Sequence, residues 1–328
     1  MPDHSFLNGK TILVTGGTGT FGHAFLAKLI AVPGIKKIIV FSRDEFKQSV
    51  MQNEIKDDRI RYFLGDVRDL PRLDRAFNGV DIVVHAAALK QVPAIEYNPL
   101  EAVKTNVLGT QNVIDAALNN NVEKVLFVSS DKAVQPVNLY GASKLCAERL
   151  VVAANMYRGA KGKTRFSVVR YGNVIGSRGS IVELVAKQRH TGLLPLTDER
   201  MTRFWIKVGN VMNIILGGLD IMEGGEIFVP KMKSLKVVDV LQALAPECKL
   251  QTVGIRPGEK MHEILMTEYE VPRARDLGLM YAILPEFSAG QEPSKHVDKP
   301  RFPANSVYES NHEHFLLPVH KAAEVLES

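Results

Sequence analysis

The sequence predicts an α/β protein with a doubly wound parallel sheet and a smaller C-terminal lobe. Short apolar runs alternate with segments of helical periodicity through the first 170 residues, a rhythm typical of βαβ units. The apolar runs are nearly continuous, as expected for strands that are covered on both faces. The chain has 328 residues, 45% of them apolar and 23% charged, which suits a globular protein of about two domains.

The elements of the first half follow from these local patterns. Apolar runs predict six strands, at residues 11–15, 37–41, 61–64, 81–85, 124–128 and 166–170. Helical spacing predicts four helices, at residues 21–30, 44–54, 100–119 and 140–157. Six such units favour one doubly wound sheet.

The rhythm changes after residue 170, where the chain becomes rich in Gly, Arg and Thr. The remaining patterns predict a helix at 207–221, a strand at 226–230, a helix at 235–244, a strand at 281–284 and a loop at 286–303. We therefore divide the chain into a nucleotide-binding domain, residues 1–172, and a mainly substrate-binding lobe, residues 173–328. Part of residues 205–230 is expected to return to the first domain.

Charge, cysteine content and hydrophobic patterning argue against several classes of protein. Lys plus Arg is 41 and Asp plus Glu is 36, so the net charge is +5, which fits an anionic partner. The sequence has no cluster of aromatic and basic residues of the kind that binds a nucleic acid polymer. Cys146 and Cys248 offer neither zinc spacing nor a disulfide framework. No apolar run reaches the roughly 18 residues of a membrane span, and residues 1–10 lack an apolar signal core. We expect a cytoplasmic protein without membrane association.

A glycine-rich turn at residues 15–22 is the strongest local motif. Gly16, Gly19 and Gly22 follow the first strand and open a helix, which is the context of a Rossmann-type dinucleotide site. The glycines permit close approach of a pyrophosphate, and the helix N-terminus offers it free N–H groups. A plain glycine-rich turn is the alternative. The candidate cofactor-binding residues here are Gly16, Thr18, Gly19, Thr20, Phe21 and Gly22.

The end of the second strand bears on the choice of cofactor. Arg43 is able to pair with a 2′-phosphate, Ser42 is able to hydrogen-bond to it, and Lys47 adds charge one helical turn further on. These residues favour NADP, and NAD is the alternative cofactor. If Arg43 has no role in binding, it is a solvated arginine beside Asp44. Asp66 and Val67 follow the third strand and are expected to contact the adenine.

The fifth strand ends at Ser129 and Ser130, followed by Asp131 and Lys132. Tyr140 and Lys144 lie four residues apart, so a helix places both on one face. A nearby ammonium stabilises a tyrosinate and lowers its pKa, which makes a base for a substrate hydroxyl. The alternative is a surface tyrosine and lysine.

These motifs together resemble the extended short-chain dehydrogenases/reductases that modify nucleotide sugars. The resemblance spans residues 10 to about 270. It rests on residues 15–22, Asp66-Val67, residues 85–88, Asn106, Ser130, Tyr140 and Lys144. It implies that Ala86, Ala87, Ala88, Asn106 and Ser129 belong to the cofactor site, with Asn106 supporting the active-site geometry. It also implies assembly into homo-oligomers.

The Asp131-Lys132 pair beside an intact Tyr140 resembles the inverting 4,6-dehydratases of UDP-N-acetylglucosamine. The resemblance implies oxidation at C4, loss of water across C5 and C6, hydride return to C6 and inversion at C5. The product would be UDP-2-acetamido-2,6-dideoxy-β-L-arabino-hexos-4-ulose, for pseudaminic acid synthesis and flagellin glycosylation. We assign Asp131 as the acid for the 6-hydroxyl and Lys132 as the C5 base.

This assignment has a physical requirement. Lys132 needs desolvation or a neighbouring cation such as Lys144 to act as a base. The alternative is that Lys132 only anchors a phosphate or a backbone carbonyl. Other activities stay open: a C5-retaining dehydratase, a 4-epimerase, or a non-catalytic NADP-binding sensor or scaffold.

Further segments resemble those that line the sugar and UDP pocket in that group. They supply the candidate substrate-binding residues Lys90, Ser130, Asn173, Thr197, Met201, Arg203, Arg256 and Glu259. Arg178 is a weaker candidate. His85 has no partner at metal spacing, so we expect a structural role for it and no metal site.

Overall fold

The structure, a computed structural model, describes residues 4–157, 162–177, 179–286, 294–303 and 307–327. Its strands are β1 (Thr11–Thr15), β2 (Lys37–Ser42), β3 (Ile60–Leu64), β4 (Ile82–His85), β5 (Lys124–Val128), β6 (Arg165–Val169), β7 (Asn173–Ile175), β8 (Leu193–Leu196), β9 (Thr202–Lys207), β10 (Ile227–Pro230), β11 (Lys233–Lys236), β12 (Lys249–Thr252), β13 (Ile264–Met266), β14 (Ala274–Asp276), β15 (Met280–Ile283) and β16 (Tyr308–Glu309).

The helices are α1 (Thr20–Ile30), α2 (Glu45–Glu54), α3 (Leu70–Phe77), α4 (Val92–Tyr97), α5 (Pro99–Ala102), α6 (Gly109–Asn119), α7 (Leu139–Tyr157), α8 (Ile181–Gln188), α9 (Val208–Ile221), α10 (Val237–Leu244) and α11 (Ala322–Glu327). Short 3₁₀ turns cover Ser5–Leu7, Asp131–Ala133, Arg189–Thr191, Val271–Arg273 and Val319–Lys321. Among the described residues, no helix is both long enough and apolar enough to cross a bilayer.

The main sheet has nine strands in the order β14-β15-β10-β6-β5-β4-β1-β2-β3. The run from β10 to β3 is parallel, whereas β15 and β14 are antiparallel. Helix α6 contacts both α3 and α7, and α1 packs with α9. The predicted fold class is therefore confirmed, because a parallel sheet with the order 3-2-1-4-5-6 is the doubly wound arrangement.

Three local elements differ from the sequence prediction. The helix expected at 100–119 contains a π-helical segment, Val103–Leu108, between α5 and α6. A separate helix, α4, precedes it, with Pro93 in its first turn, where proline costs no hydrogen bond. The helix expected at 235–244 begins only at Val237, because Lys233–Lys236 pairs with β9. Cross-strand pairing there overrides the local helical pattern.

The chain after residue 172 contributes to both parts of the molecule. Strand β10 pairs with β6 in the main sheet, and β15 and β14 extend its edge. The other C-terminal strands form small sheets of their own, β11-β9-β7, β12-β8 and β13-β16. A large apolar core spans both faces of the main sheet and continues through Phe204, Tyr308 and Phe315 into the lobe. The lobe is thus joined to the sheet by strands and by core packing.

Candidate active site

A cavity of about 630 Å³ lies at the carboxyl ends of the parallel strands. Segments that follow β1, β2, β3, β4, β5 and β6 line it, together with parts of α7, β9 and α9. Strands β1 and β4 are neighbours in the sheet although they are distant in sequence. Ligands of doubly wound folds bind at such a switch in strand order, so the topology marks this cavity as the functional site.

The glycine-rich turn lies where the sequence predicts it. Gly16 has φ +67°, and a Cβ there would approach Ala87 Cα to 2.9 Å. A Cβ at Gly22 would lie 2.0 Å from the Gly17 carbonyl oxygen. Gly19 caps the N-terminus of α1. The turn therefore needs glycine to pack against the β4 loop and to present helix N–H groups to the cavity.

The expected nucleotide-selecting residues line the outer part of the cavity. Arg43 is 52% exposed, and its guanidinium lies 3.6 Å from an Asp66 oxygen. Lys47 pairs with Asp44 at 2.6 Å, which offsets much of its positive charge. Gln48 donates a hydrogen bond of 3.0 Å to the Ser42 hydroxyl. Arg43 is thus the cation best placed to meet an added phosphate.

Two buried hydroxyls in the cavity wall have no hydrogen-bond partner among the described residues. They are Ser129 Oγ and Thr105 Oγ1. Buried polar atoms are normally satisfied, so these hydroxyls fit a polar ligand in the cavity. Together with the glycine turn and the helix N-terminus, they match the polar groups of a nicotinamide dinucleotide, which the predicted residues would hold.

Tyr140 and Lys144 are brought to the inner part of the cavity by α7. The Lys144 ammonium donates a 2.6 Å hydrogen bond to the Val128 carbonyl and lies 3.9 Å from the centre of the Phe127 ring. Burial lowers the pKa of Lys144 to about 7. Burial also raises the pKa of Tyr140, against the smaller lowering effects of Lys132 and a hydrogen bond with Ser130.

This arrangement differs from the expected one. The sequence argument expects Lys144 to lower the Tyr140 pKa, yet burial raises that pKa, and the charged group that acts against the rise is Lys132. The reason is geometric, because the loop after β5 carries Lys132 to the tyrosine whereas Lys144 turns to the Val128 carbonyl.

Lys132 lies between two carboxylates. Its Nζ is 3.1 Å from Asp131 Oδ1 and 3.5 Å from Glu263 Oε1, and 30% of its side chain remains accessible from the cavity. Although burial acts to lower it, the two carboxylates raise the pKa of Lys132. The hypothesis of a C5 base expects a lowered pKa, so Lys132 must transfer its proton before it acts as one.

Asp131 is completely buried. Its Oδ1 accepts hydrogen bonds from Ser130 Oγ at 2.8 Å and from Lys132 Nζ at 3.1 Å. Its Oδ2 has no hydrogen-bond partner among the described residues. Burial and the nearby Glu263 raise the pKa of Asp131, which suits a carboxyl group that carries a proton.

Most of the predicted cofactor residues and several of the substrate residues line this one cavity. The predicted residues that line it are Gly16, Thr18, Gly19, Thr20, Phe21, Ser42, Arg43, Lys47, Asp66, Val67, Ala86, Ala87, Ala88, Lys90, Ser129, Ser130, Lys132, Tyr140, Lys144 and Asn173. Asp131 lies just behind this wall and contacts it through Ser130 and Lys132.

Asn106 lies outside the cavity wall and organises it. Its amide group accepts a hydrogen bond from Leu89 N at 2.8 Å and donates to Leu89 O at 2.9 Å and to Ser143 Oγ at 3.0 Å. It thereby ties the loop after β4 to α7. Asn106 sits in the π-helical segment, and such segments often occur at functional sites.

Several predicted substrate residues lie apart from the cavity wall. Arg203 is buried and donates to the backbone carbonyls of Thr202, Met261 and Lys260. Met201 is buried, and Thr197 is half-buried at the end of β8. Arg178 lies outside the described residues.

The turn that carries Arg256 and Glu259 lies at the edge of the cavity. Glu259 N donates to the Arg256 carbonyl at 3.1 Å, and the Gly258 carbonyl between them accepts a hydrogen bond of 2.8 Å from Asn138 Nδ2. A Cβ at Gly258 would lie 3.7 Å from Val92 Cγ1. Val92 lines the cavity, so this turn borders its substrate end. Arg256 is exposed there.

The sequence patterns predicted no role for Glu263 or for the apolar part of the cavity wall. An apolar part of the cavity wall is formed by Trp205, Val208, Val211 and Met212. Val208, Val211 and Met212 have the apolar spacing of an ordinary core helix, and Trp205 lies in β9. Glu263 lies four residues beyond the candidate residue Glu259, and nothing in its local sequence distinguishes it from a surface carboxylate.

His85 takes a structural position. Its ring nitrogens lie 2.7 Å from Thr15 Oγ1 and 3.1 Å from Thr110 Oγ1. Burial, and secondarily Lys144, lower its pKa to about 3. The imidazole therefore stays neutral inside the sheet.

Comparison with known proteins places the chain among polysaccharide biosynthesis proteins, whose family model matches residues 12–285. A UDP-N-acetylglucosamine 4,6-dehydratase (inverting) of Campylobacter jejuni is 48% identical over 289 residues, 88% of this chain and 86% of that protein. A UDP-glucose 4-epimerase of Rickettsia canadensis is 42% identical, over 84% of this chain and 82% of that protein.

Two solved structures show the same fold. Pen from Bacillus thuringiensis has a TM-score of 0.90 and 36% identity, and the match covers 98% of each chain. DesIV, a dTDP-glucose 4,6-dehydratase from Streptomyces venezuelae with NAD and TYD bound, has a TM-score of 0.68 and 25% identity, over 76% of this chain and 86% of that one.

Proposed function

The chain belongs to the polysaccharide biosynthesis protein family, and from this premise we propose that it is an inverting UDP-N-acetylglucosamine 4,6-dehydratase. Its cofactor is a nicotinamide dinucleotide. The observation that carries the proposal is the Asp131-Lys132 ion pair, at 3.1 Å, in which Asp131 is buried behind the cavity wall and Lys132 lines the cavity with Tyr140 and Ser130. Its support from similarity is the 48% identity to a relative named for this reaction.

The first half of the reaction uses Tyr140. Although burial raises the pKa of Tyr140, Lys132 and a hydrogen bond with Ser130 act to lower it, and its phenolate form takes the proton of the 4-hydroxyl group as C4 is oxidised. A nicotinamide dinucleotide held by the glycine turn and Ser129 would supply the hydride acceptor for C4 and the hydride donor for C6, with no net change in its oxidation state. The C4 ketone acidifies the C5 proton, which is otherwise too weakly acidic to remove.

The elimination uses Asp131 and Lys132 as a coupled pair. One proton moves across the 3.1 Å contact from Lys132 Nζ to Asp131 Oδ1, giving a neutral amine and a carboxylic acid at no change in total charge. The amine then takes the C5 proton and the acid protonates the leaving 6-hydroxyl group. Water departs, and the ion pair is restored.

Inversion requires that C5 receives its new proton from the face opposite Lys132. The enzyme gains protons from the 4-hydroxyl group and from C5, and it gives one to the 6-hydroxyl group and one to C5. The proton count therefore balances over the cycle. The product is the 4-keto-6-deoxy-L-arabino sugar nucleotide.

We propose NADP as the cofactor on the basis of Arg43. Its guanidinium is exposed at the outer end of the cavity and makes only a long contact, 3.6 Å, to Asp66. A 2′-phosphate is a natural bidentate partner for it. NAD is the alternative, as in the DesIV structure.

The remaining parts of the proposal concern substrate binding and context. Lys90 and Asn173 in the cavity wall, with Arg256 and Glu259 at its edge, are proposed to hold the UDP-sugar. Exposed apolar side chains of Tyr97, Leu100 and Leu108 support self-association, which light scattering tests. A cytoplasmic location and a place in pseudaminic acid synthesis for flagellin glycans belong to the same proposal.

Proton NMR of the purified protein with UDP-N-acetylglucosamine in deuterated water tests this function. We expect a 6-methyl signal, deuterium at C5 and couplings of the L-arabino configuration. A product with D-xylo configuration would replace the inverting assignment with a retaining dehydratase. Unchanged substrate, with no change in the absorbance of the bound cofactor, would favour the non-catalytic alternative.

The similarity to a protein named UDP-glucose 4-epimerase makes epimerisation the second candidate. Epimerisation at C4 needs only oxidation and reduction of that carbon, so it gives no use to a buried acid and amine beside Tyr140. Burying such a pair costs several kcal/mol. The Asp131-Lys132 pair therefore favours dehydration.

A further inference from the structure

Glu263 is a buried carboxylate that reaches the reactive pair from the C-terminal lobe. It is 2% exposed and immediately precedes β13. Its backbone N–H donates to Ser310 Oγ at 2.9 Å, and the Ser310 N–H donates to its carbonyl at 2.9 Å. Ser310 is bonded in turn to Thr202 Oγ1 at 2.6 Å. The C-terminal segment and β9 thus fix the position of Glu263.

The Glu263 side chain lies among three cations. Its Oε1 is 3.5 Å from Lys132 Nζ and 3.8 Å from Arg203 Nε, and its Oε2 is 3.5 Å from Lys260 Nζ. These cations outweigh burial and lower the pKa of Glu263. Glu263 therefore keeps its negative charge close to Lys132.

Charges from both lobes meet around Lys132. Asp131 faces it from the loop after β5, Glu263 from the segment before β13, and Arg203 acts on it from β9. Tyr140 on α7 faces Lys132 and Asp131, while His262 turns away to bond with Thr202. The Glu263 charge favours the protonated forms of both Asp131 and Lys132.

We propose that Glu263 is a positioning residue that sets the protonation of the Asp131-Lys132 pair from the C-terminal lobe. The inference rests on the proposed dehydratase function and adds to it a residue outside the cavity wall. It also gives a role to the C-terminal segment, whose Ser310 holds Glu263 in place.

Lys260 and Arg203 let Glu263 fulfil this role during turnover. An uncompensated buried carboxylate is costly, and Lys132 loses its charge when its proton moves to Asp131. Lys260 is fixed by its hydrogen bond to the Val134 carbonyl, and Arg203 by three backbone carbonyls. The positive charges of Lys260 and Arg203 therefore continue to offset the negative charge of Glu263 while Lys132 is neutral.

The pH dependence of turnover tests the proposal. The working pair shares one proton, so the rate falls at low pH when both groups are protonated and at high pH when neither is. Removing the negative charge in Glu263→Gln lowers the pKa of both groups. Both limbs of the pH profile are then expected to move to lower pH by about one unit, and Glu263→Asp should keep them near the wild-type positions.

A variant of opposite sign guards against a simple loss of folding. Lys260→Met removes a positive charge from the cluster, so both limbs should move to higher pH. Glu270→Gln serves as the matched control, because it alters a buried carboxylate of the same lobe that pairs with Arg170. It should reduce stability and leave the limbs in place. Limbs that stay fixed in both Glu263→Gln and Lys260→Met would overturn the proposal.

A readout without substrate separates this inference from the proposed function. The infrared band of the protonated Asp131 carboxyl group, identified by its loss in Asp131→Asn, should persist to higher pH in the wild type than in Glu263→Gln. Equal persistence in both would contradict the role of Glu263 whatever the reaction. Failure of the wild type to dehydrate UDP-N-acetylglucosamine would contradict only the proposed function.

Discussion

Two ion clusters join the main sheet to the C-terminal lobe, one around the buried Arg170 and one around Lys132, which is partly open to the cavity. Arg170 makes paired hydrogen bonds of 2.7 to 3.1 Å to Glu148 and Glu270 and a further one of 2.8 Å to the Leu265 carbonyl. Lys132 makes contacts of 3.1 Å to Asp131 and 3.5 Å to Glu263, and each of those two carboxylates has an oxygen without a hydrogen bond among the described residues.

The difference separates a structural joint from a reactive site. The planar guanidinium of Arg170 matches two carboxylates and always stays charged, so that cluster holds one arrangement. An ammonium beside a carboxyl group with a raised pKa is able to exchange a proton. The Lys132 cluster is also open to the cavity, where a substrate would complete its hydrogen bonds.

Lys132→Met tests the reactive side of the comparison and should have the largest effect. We expect turnover to fall by about 10²- to 10⁴-fold, as for loss of a general acid or base, with loss of deuterium incorporation at C5. The free energy of unfolding should change by no more than about 1 kcal/mol, because Asp131 is able to take a proton and Glu263 retains its ion pairs with Lys260 and Arg203. NMR in deuterated water and urea unfolding measure the two quantities. Normal exchange at C5 would remove Lys132 as the base.

Arg170→Met tests the structural side. Removing the guanidinium leaves Glu148 and Glu270 buried without their partner, which should cost about 3–5 kcal/mol of stability. Turnover per folded molecule should stay within about twofold of wild type, since Arg170 does not line the cavity. Arg170→Lys is the control that keeps the charge and loses the planar fork. A loss of turnover without a loss of stability would erase the distinction between the two clusters.

His85 extends the comparison to a buried group that stays neutral. Its folded-state pKa of about 3 lies below its ordinary value of 6.5, so the unfolded chain binds the proton more readily. The stability should therefore be intact above about pH 6.5 and fall as pH drops toward 3. His85→Gln should flatten this slope in urea unfolding measured across that range. An equal slope in both proteins would mean that other groups cause the acid sensitivity.

Arg43→Ala should have the smallest effect of the four, because Arg43 is exposed and outside both clusters. We expect about tenfold weaker binding of NADP(H), with NAD(H) binding and stability nearly unchanged. Cofactor titration monitored by fluorescence measures both affinities. Equal losses for the two cofactors would contradict a contact with the 2′-phosphate.

Much of the site was predictable because its residues follow parallel strands. The carboxyl ends of such strands meet at one edge of the sheet, so motifs after β1, β4 and β5 had to converge. The π-helical segment around Asn106 was not predictable from the 100–119 pattern, since its side chains keep a helical order. Arg203 was predicted as a substrate-binding residue, and in the structure it donates hydrogen bonds to backbone carbonyls of residues 260 and 261.

The sheet, the glycine turn and the set of Asp131, Lys132, Tyr140 and Lys144 were predictable from the sequence, because each depends on short-range spacing and chain order. The charges that surround Lys132, by contrast, depend on how distant segments pack together. Glu263 is 131 residues away along the chain and reaches it through the packing of β13, β16 and Ser310. The protonation of a buried group depends on all charges near it in space, and no local pattern records that neighbourhood.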